Sequence, residues 1–168
     1  MRQIDEPARA IDVVHETDVL VVGSGPGGLA AALAAARAGV RTTLLERHGC
    51  FGGNITQVGV EGFAWYRHEA TVDSEGIGPE FEERARAMGA ASPERQSLSH
   101  ALDAEMFKYV ADVLVQESGV EPMLHRTFAQ WGGRDDLWIF GYASLIARPE
   151  FDAVEHRSSR VLGWHRAL

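Results

Sequence analysis

The glycine pattern at residues 23–28 constrains the fold of this chain more than any other feature. It reads Gly-Ser-Gly-Pro-Gly-Gly, a G-x-G-x-x-G motif. The motif follows an apolar run at residues 18–22 and opens an alanine- and leucine-rich run at residues 27–38, which favours helix. Gly39 stands where a left-handed helix cap is expected, and residues 40–46 have the composition of a second strand. The sequence therefore predicts two parallel strands joined by a helix, a βαβ unit of the α/β class.

The same loop predicts a nucleotide site. Gly23 would permit the tight turn, Gly25 would let the backbone approach a pyrophosphate, and Gly28 would allow close helix–strand packing. The helix N-terminus offers free N–H groups and the positive end of its dipole to phosphates. Glu46, at the end of the second strand, can accept hydrogen bonds from ribose hydroxyls. The candidate loop residues are Gly23, Ser24, Gly25, Pro26, Gly27 and Gly28. The alternative is a glycine-rich turn in an α/β protein that binds no nucleotide.

The rest of the N-terminal part gives weaker patterns. Residues 47–78 are glycine-rich and without clear periodicity, which favours an extended loop region across a ligand face. A short helix is predicted at 79–88, with Pro79 as its first residue. A longer helix is predicted at 103–118, capped by Asp103 and stopped by Gly119, and a strand follows at 120–128. The longer helix should bury an apolar stripe of Met106, Phe107, Val110, Val113 and Leu114.

Composition restricts the classes of partner. The net charge of −8 disfavours binding to nucleic acid or to an anionic membrane surface. The one cysteine, Cys50, allows no internal disulfide framework and is interpreted as a loop thiol. The seven histidines lack metal-ligand spacing, so no metal site is expected. The polar residues 1–16 lack the apolar core of a signal peptide, and glycines interrupt residues 19–36, so we expect neither a leader nor a membrane span and a cytoplasmic location.

A second glycine pair bears on whether the expected dinucleotide is FAD or NAD. Residues 46–56 read Glu-Arg-His-Gly-Cys-Phe-Gly-Gly-Asn-Ile-Thr. This segment resembles the FAD-dependent oxidoreductases, whose Rossmann-like N-terminal domain carries a diglycine after the ribose-binding acid. The resemblance covers about residues 17–128. It implies that Gly52 and Gly53 lie in a loop that wraps the phosphates of FAD.

The same resemblance implies a further strand, and the residues themselves offer further candidate contacts. A third strand is expected near residues 120–125, beside the first two. Arg47 and His48 are candidates for phosphate or ribose contact, with a solvated loop position as the equal alternative. Trp65 and Tyr66 could line the flavin face, although the filling of an apolar gap is favoured.

Other parts of such an enzyme have no counterpart in the sequence. The family has a substrate-binding region and a late segment that covers the flavin, and neither is recognisable here. No catalytic residue can be named, because the isoalloxazine ring carries the redox chemistry. We therefore expect a truncated FAD-binding module whose substrate is unknown. An open sheet edge and uncovered apolar surface would then permit self-association.

The last part of the chain has a different residue pattern. Residues 129–136 form a polar junction, and residues 137–168 read as a short β-rich segment. This segment, with Tyr142-Ala143-Ser144-Leu145 after an apolar run, resembles the start of the gamma-glutamylcyclotransferase family, which degrades glutathione. That family holds the gamma-glutamyl group on a Tyr-Gly-Ser-Leu loop, so Ala143 departs from its pattern. No residue matches the catalytic glutamate of that family.

These patterns predict a division of the chain and leave three functions open. The expected units are a tail at 1–17, an FAD-binding Rossmann-like domain at 18–128, the junction at 129–136 and the fragment at 137–168. The favoured function is the FAD-binding module of an oxidoreductase. The alternatives are a gamma-glutamylcyclotransferase-like protein acting on glutathione, and a non-catalytic fusion of two incomplete domains.

Overall fold

A computed structural model of the chain describes residues 13–62, 67–68, 71–72, 75–94 and 99–126. Several of the predictions fall elsewhere. Most of the tail, Trp65, Tyr66, the junction at 129–136 and the fragment at 137–168 lie outside the described residues. The division into domains is therefore not addressed by the structure.

The described residues form four helices and seven short strands. The helices are α1 (Pro26–Arg37), α2 (Asn54–Val58), α3 (Ile77–Ala87) and α4 (Ala104–Ser118). The strands are β1 (Val19–Val22), β2 (Thr42–Leu45), β3 (Arg67–His68), β4 (Thr71–Val72), β5 (Ala91–Glu94), β6 (Ser99–Leu102) and β7 (Glu121–Met123). The main sheet has the order β1-β2-β7, and two separate antiparallel pairs join β3 to β4 and β5 to β6.

The βαβ unit is present as predicted. β1 and β2 are parallel, with Val19 opposite Thr42 and Val22 opposite Leu45. α1 begins at Pro26, which can start a helix because its missing N–H would have no intrahelical partner. The helix ends at Arg37, and Gly39, two residues later, has a φ of 84°. The local chemistry of glycine and proline thus sets both ends of α1.

The expected third strand is also present, but it is shorter than residues 120–128. β7 lies parallel to β2, with Thr43 opposite Glu121 and Leu45 opposite Met123. The strand stops there because His125 adopts a φ of 56°, which is incompatible with extended backbone. Pro122 lacks an N–H, so its place on an outer strand of the described sheet costs few hydrogen bonds.

The segment predicted as loop, residues 47–78, contains a helix that the sequence did not indicate. α2 has only five residues, too few for a helical period to be visible. Its stability comes from tertiary contact, since Ile55 and Thr56 are buried. The predicted start of the next helix at Pro79 was also wrong. α3 begins at Ile77, directly after Gly76 with a φ of 81°.

The antiparallel pair β5–β6 was not predicted either, because Ala-Ser-Pro-Glu in β5 has no strand pattern. Polar contacts from another element hold the hairpin in place. Glu82 on α3 is 1% exposed and accepts a hydrogen bond from Ser99 Oγ. His100 Nδ1 lies 2.7 Å from the other oxygen of the same carboxylate. These contacts join residues far apart in the sequence, so local patterns could not reveal them.

The core lies where α1 and α4 pack on the main sheet and α3 packs on both helices, and it fixes the position of α1. Phe81 of α3 and Phe107 of α4 are fully buried and meet edge to face, with ring centroids 6.0 Å apart. The large apolar residues of these elements with no exposed area are Leu29, Leu33, Leu44, Phe81, Phe107, Val110 and Leu114. The predicted stripe of α4 is therefore largely correct, but Met106 is 40% exposed.

The ends of α4 agree with the sequence. Asp103 caps the helix by accepting a hydrogen bond from Met106 N at 2.9 Å, and Gly119 ends it in the left-handed conformation. In the part of the chain that the structure describes, no helix has the length and apolar character needed to cross a membrane. The same residues contain no group of three or more His, Cys, Asp or Glu side chains arranged to hold a metal ion.

Candidate nucleotide-binding site

The predicted nucleotide residues meet at the carboxyl ends of β1 and β2. The loop of residues 23–28 leaves β1 and enters α1, and Glu46 directly follows β2. Gly23 N donates a hydrogen bond to the carbonyl oxygen of Leu45 at 2.8 Å, which fixes the loop to the second strand. This edge of a parallel sheet is the usual place for a ligand in open α/β folds.

The three motif glycines are needed for three different reasons. Gly23 has a φ of 89°, which a residue with a side chain adopts only with strain. A Cβ on Gly28 would lie 1.9 Å from the carbonyl oxygen of Gly23, so the close packing of α1 on the turn excludes any side chain. Gly25 has an ordinary φ of −59°, and a Cβ there would meet no atom within 4 Å. The folded protein therefore does not itself require glycine at position 25.

The space next to Gly25 that holds no protein atom lies at the N-terminus of α1. The helix has no side-chain cap and no acidic residue in its first turn. Helix geometry leaves the N–H groups of Gly27 and Gly28 without intrahelical partners, while Pro26 has none to offer. These N–H groups and the helix dipole favour an anion such as a phosphate. The residues present thus fit a pyrophosphate that approaches the backbone at Gly25.

Glu46 lies beside this loop and is held by three hydrogen bonds. Its Oε2 accepts from Ser24 N at 2.8 Å and from Ser24 Oγ at 2.6 Å. Its Oε1 accepts from His48 N at 2.9 Å. Its backbone is fixed as well, because Glu46 N donates to the carbonyl of Met123 and Arg126 N donates to the carbonyl of Glu46. Glu46 is therefore fixed at its carboxylate by Ser24 and His48, and at its backbone by Met123 and Arg126.

These contacts keep Glu46 ionised. The side chain is buried, with 6% of the residue exposed, and burial alone would raise the pKa of its carboxyl group. The hydrogen bonds from Ser24 Oγ, His48 N and Ser24 N together outweigh that effect and lower the pKa below its ordinary value. An ionised carboxylate accepts hydrogen bonds and repels phosphate, so Glu46 suits a ribose with free hydroxyls.

The second glycine pair packs directly on the first loop. Gly52 N donates a hydrogen bond to the carbonyl of Ser24 at 3.0 Å. A Cβ on Gly53 would lie 2.5 Å from the Cα of Gly25, and Gly53 has a φ of 56°. A Cβ on Gly52 would lie 2.4 Å from Thr56 Cγ2. Packing within the protein therefore already requires both glycines, and their contact with phosphates stays a prediction.

Arg47 and the side chain of His48 lie next to this network. Arg47 is exposed, and its Nε donates to His48 Nε2 at 3.1 Å, so its side chain runs along the loop in this structure. Its contact with a ligand stays a prediction. The half-exposed thiol of Cys50 accepts a hydrogen bond from Gln57 Nε2 at 2.9 Å.

Sequence reasoning missed two features of the site. One is the hydroxyl of Ser24 as a partner of Glu46, since only its place in the loop was recognised. The other is His125, whose ring lies 2.9 Å from the point where a Cβ on Gly49 would be. His125 N also donates to the carbonyl of His48 at 3.3 Å. No local signal reveals His125, because it reaches the loop through the pairing of β7 with β2.

Comparison with known families gives two matches along the chain. The sequence profile described as "FAD dependent oxidoreductase" matches residues 18–138. A second profile, described as "ChaC-like protein", matches residues 137–168. The two matches meet next to the predicted junction.

The curated relatives are enzymes by name and are much longer than this chain. The leghemoglobin reductase of Glycine max is 27% identical over 152 residues, which are 89% of this chain and 26% of that protein. A mitochondrial dihydrolipoyl dehydrogenase of Pisum sativum is 48% identical over 44 residues, covering 26% of this chain and 9% of that protein. A thiamine thiazole synthase of Metallosphaera sedula is 46% identical over 57 residues, covering 34% of this chain and 19% of that protein. The chain thus spans about a quarter of the first of these relatives.

Comparison with solved structures gives partial matches of low similarity. THI4 of Thermovibrio ammonificans matches with a TM-score of 0.43 and 22% identity, over 64% of this chain and 38% of that one. Thioredoxin reductase of Lactococcus lactis matches with a TM-score of 0.36 and 24% identity, over 65% of this chain and 25% of that one.

Proposed function

The chain belongs to the FAD dependent oxidoreductase family, and from this premise we propose that residues 23–28 and Glu46 bind the ADP half of FAD. Membership confirms the two expectations that the second glycine pair raised, the family and FAD as its cofactor. The proposal concerns which residues of this chain hold that cofactor. It places the pyrophosphate at the loop and the adenosine ribose at Glu46.

The observation that carries the proposal is the empty space over Gly25. Gly23 and Gly28 are explained by the fold itself, whereas the glycine at position 25 is not. A ligand that needs backbone contact at that point explains it. The uncapped N-terminus of α1 supplies N–H groups for the phosphates, and the ionised Glu46 supplies an acceptor for the ribose.

The flavin ring, when bound, would supply the redox chemistry, and the described residues would bind and orient the nucleotide. We assign the FAD-binding domain to residues 18–128 and regard residues 129–136 as a junction to a separate unit. The substrate and the electron acceptor would be those of the whole enzyme. The acidic charge supports a small-molecule partner rather than nucleic acid, and cytoplasmic location and self-association stay predictions from the sequence.

A titration with two flavins tests the proposal. FAD and FMN share the flavin ring, but FMN lacks the adenosine that the proposed site recognises. We expect FAD to bind, measured as a change in its fluorescence, and FMN to bind at least about 100-fold more weakly, because loss of the adenosine ribose and of one of the two phosphates costs several kcal/mol. Equal affinity for the two flavins, or uptake of neither, would refute the assignment.

Glu46→Gln adds a local test. The amide removes the charge and one acceptor oxygen, so FAD affinity should fall about 10-fold. Glu117→Gln is the matched control, because Glu117 lies at the end of α4 and pairs with Arg84 on the surface. A loss of the same size in both variants would mean that the effect is one of overall charge.

A second candidate function rests on the match of residues 137–168 to the ChaC-like profile. The resemblance of this segment to gamma-glutamylcyclotransferases suggests acyl transfer with cyclisation on glutathione. Release of 5-oxoproline from glutathione by the purified chain would support it. Absence of release, with FAD bound, would favour the flavin module. Absence of both would favour the remaining alternative, a non-catalytic fusion.

A further inference from the structure

The carboxylate of Glu46 has little capacity left for a ligand. An ionised carboxylate offers about four acceptor positions, two on each oxygen. Ser24 N and Ser24 Oγ take both positions on Oε2, and His48 N takes one on Oε1. About one position on Oε1 therefore remains, on a residue that is only 6% exposed.

From this geometry we infer that Glu46 binds one hydroxyl of the adenosine ribose, through Oε1, and that Ser24 is the positioning residue that keeps it from binding both. The inference rests on the proposed function, since it assumes that the ribose lies at Glu46. It adds a statement about specificity. The two ribose hydroxyls should contribute unequally to affinity, because only one of them can reach an unoccupied acceptor position.

The hydroxyl of Ser24 has a physical reason to stay on Glu46 when a nucleotide binds. Ser24 is fully buried, so its O–H group has no access to water. Turning away from Glu46 would leave a buried donor without a partner, which costs about as much as a ribose hydroxyl could return. The backbone of Ser24 cannot follow a ligand either, because its carbonyl accepts from Gly52 N.

The carboxylate is equally restricted. Rotation to present Oε2 to the ligand would break the bonds from both Ser24 donors and the bond from His48 N. Glu46 is also held at its backbone by Met123 and Arg126. The orientation seen in the structure is therefore the one that a ribose meets.

The test compares three ligands on the unmodified 168-residue chain: ADP, 2′-deoxy-ADP and 3′-deoxy-ADP, by isothermal titration. We expect one deoxy analogue to bind about 10-fold more weakly than ADP, as for one hydrogen bond to a charged group. The other should bind within about twofold of ADP. Similar losses for both analogues, or no loss for either, would overturn the inference.

Ser24→Ala then tests the role assigned to the serine. It removes one of the three hydrogen bonds that hold the carboxylate, so Glu46 can turn Oε2 towards the ribose and both deoxy analogues should now bind more weakly than ADP. Ser118→Ala is the control, because Ser118 accepts from Arg37 at the far end of α1 and should keep the asymmetry of the unmodified chain. The same asymmetry in Ser24→Ala would remove Ser24 from the account.

The outcome also separates this inference from the proposed function. FAD uptake by the unmodified chain with equal losses for the two deoxy analogues would overturn the inference alone. Failure of the chain to bind either FAD or ADP would overturn both. The comparison of ligands on the unmodified chain needs no variant, so a folding defect in Ser24→Ala would not prevent a decision.

Discussion

Alanine at Gly28 and alanine at Gly25 should have opposite effects, although both residues belong to the same motif. At Gly28 the new Cβ would lie 1.9 Å from the carbonyl oxygen of Gly23, about 1.4 Å closer than a carbon–oxygen contact allows. The obstacle is backbone, so α1 must move away from the turn. Overpacking of this kind costs about 3 kcal/mol or more, a large share of the stability of a small domain.

At Gly25 the same substitution meets no protein atom and no unusual φ. Its effect on the free energy of unfolding should stay within about 1 kcal/mol. The new methyl group instead occupies the space assigned to the pyrophosphate. FAD affinity should then fall about 10- to 100-fold, the equivalent of about 1–3 kcal/mol of steric conflict.

Urea unfolding followed by circular dichroism measures the first quantity, and FAD titration measures the second. Gly78→Ala is a suitable control, because Gly78 has equally open surroundings but lies on α3. The reasoning fails if Gly25→Ala binds FAD like the unmodified chain, or if Gly28→Ala is as stable as Gly25→Ala.

Three further predictions concern the fold and the charge of the site. Phe107→Ala should lower the free energy of unfolding by about 3–5 kcal/mol in urea, and Tyr109→Ala on the same helix by less than about 1, since Phe107 is buried and Tyr109 is 58% exposed. Equal losses of unfolding free energy in the two variants would contradict the burial of Phe107 in the core. Glu80→Gln should cost only about 0.5–1 kcal/mol and lose its effect in high salt, because the two-point contact with Arg37 is partly exposed. A salt-independent loss would contradict an ionic origin. The lowered pKa of Glu46 keeps the carboxylate ionised above its ordinary value of 4.5, so FAD affinity should hold from pH 7 to about 5 and fall only as the pH drops through the lowered pKa. Loss of affinity between pH 7 and 5 would show that another group controls binding.

Local chemistry explains why the βαβ unit could be predicted. The turn at Gly23, the start of α1 at Pro26 and its end at Gly39 each follow from the backbone preferences of one residue. The role of Gly28 was also predictable, because close helix–strand packing is a property of the motif itself. The resemblance to a known family added FAD, which backbone preferences alone could not supply.

Other features depend on contacts between distant residues and were missed. α2 exists because Ile55 and Thr56 are buried, and β5–β6 is held by Glu82. Within the site, the sequence indicated Glu46 but not the hydroxyl of Ser24 that holds it. It also indicated Gly53 as a phosphate contact, which stays a prediction, but not that the backbone of Gly25 already excludes a side chain there. Proximity in space, which sequence spacing does not report, accounts for each of these differences.

The most direct test of the central claim is an amide NMR spectrum of the 18.3 kDa chain, recorded with and without FAD. The account predicts that the largest shifts fall on the amides of residues 23–25, 27–28 and 46–48, at the glycine loop and beside Glu46. ADP should shift the same amides. Shifts confined to other residues, or an unchanged spectrum at saturating FAD, would contradict the claim that this loop and Glu46 hold the nucleotide.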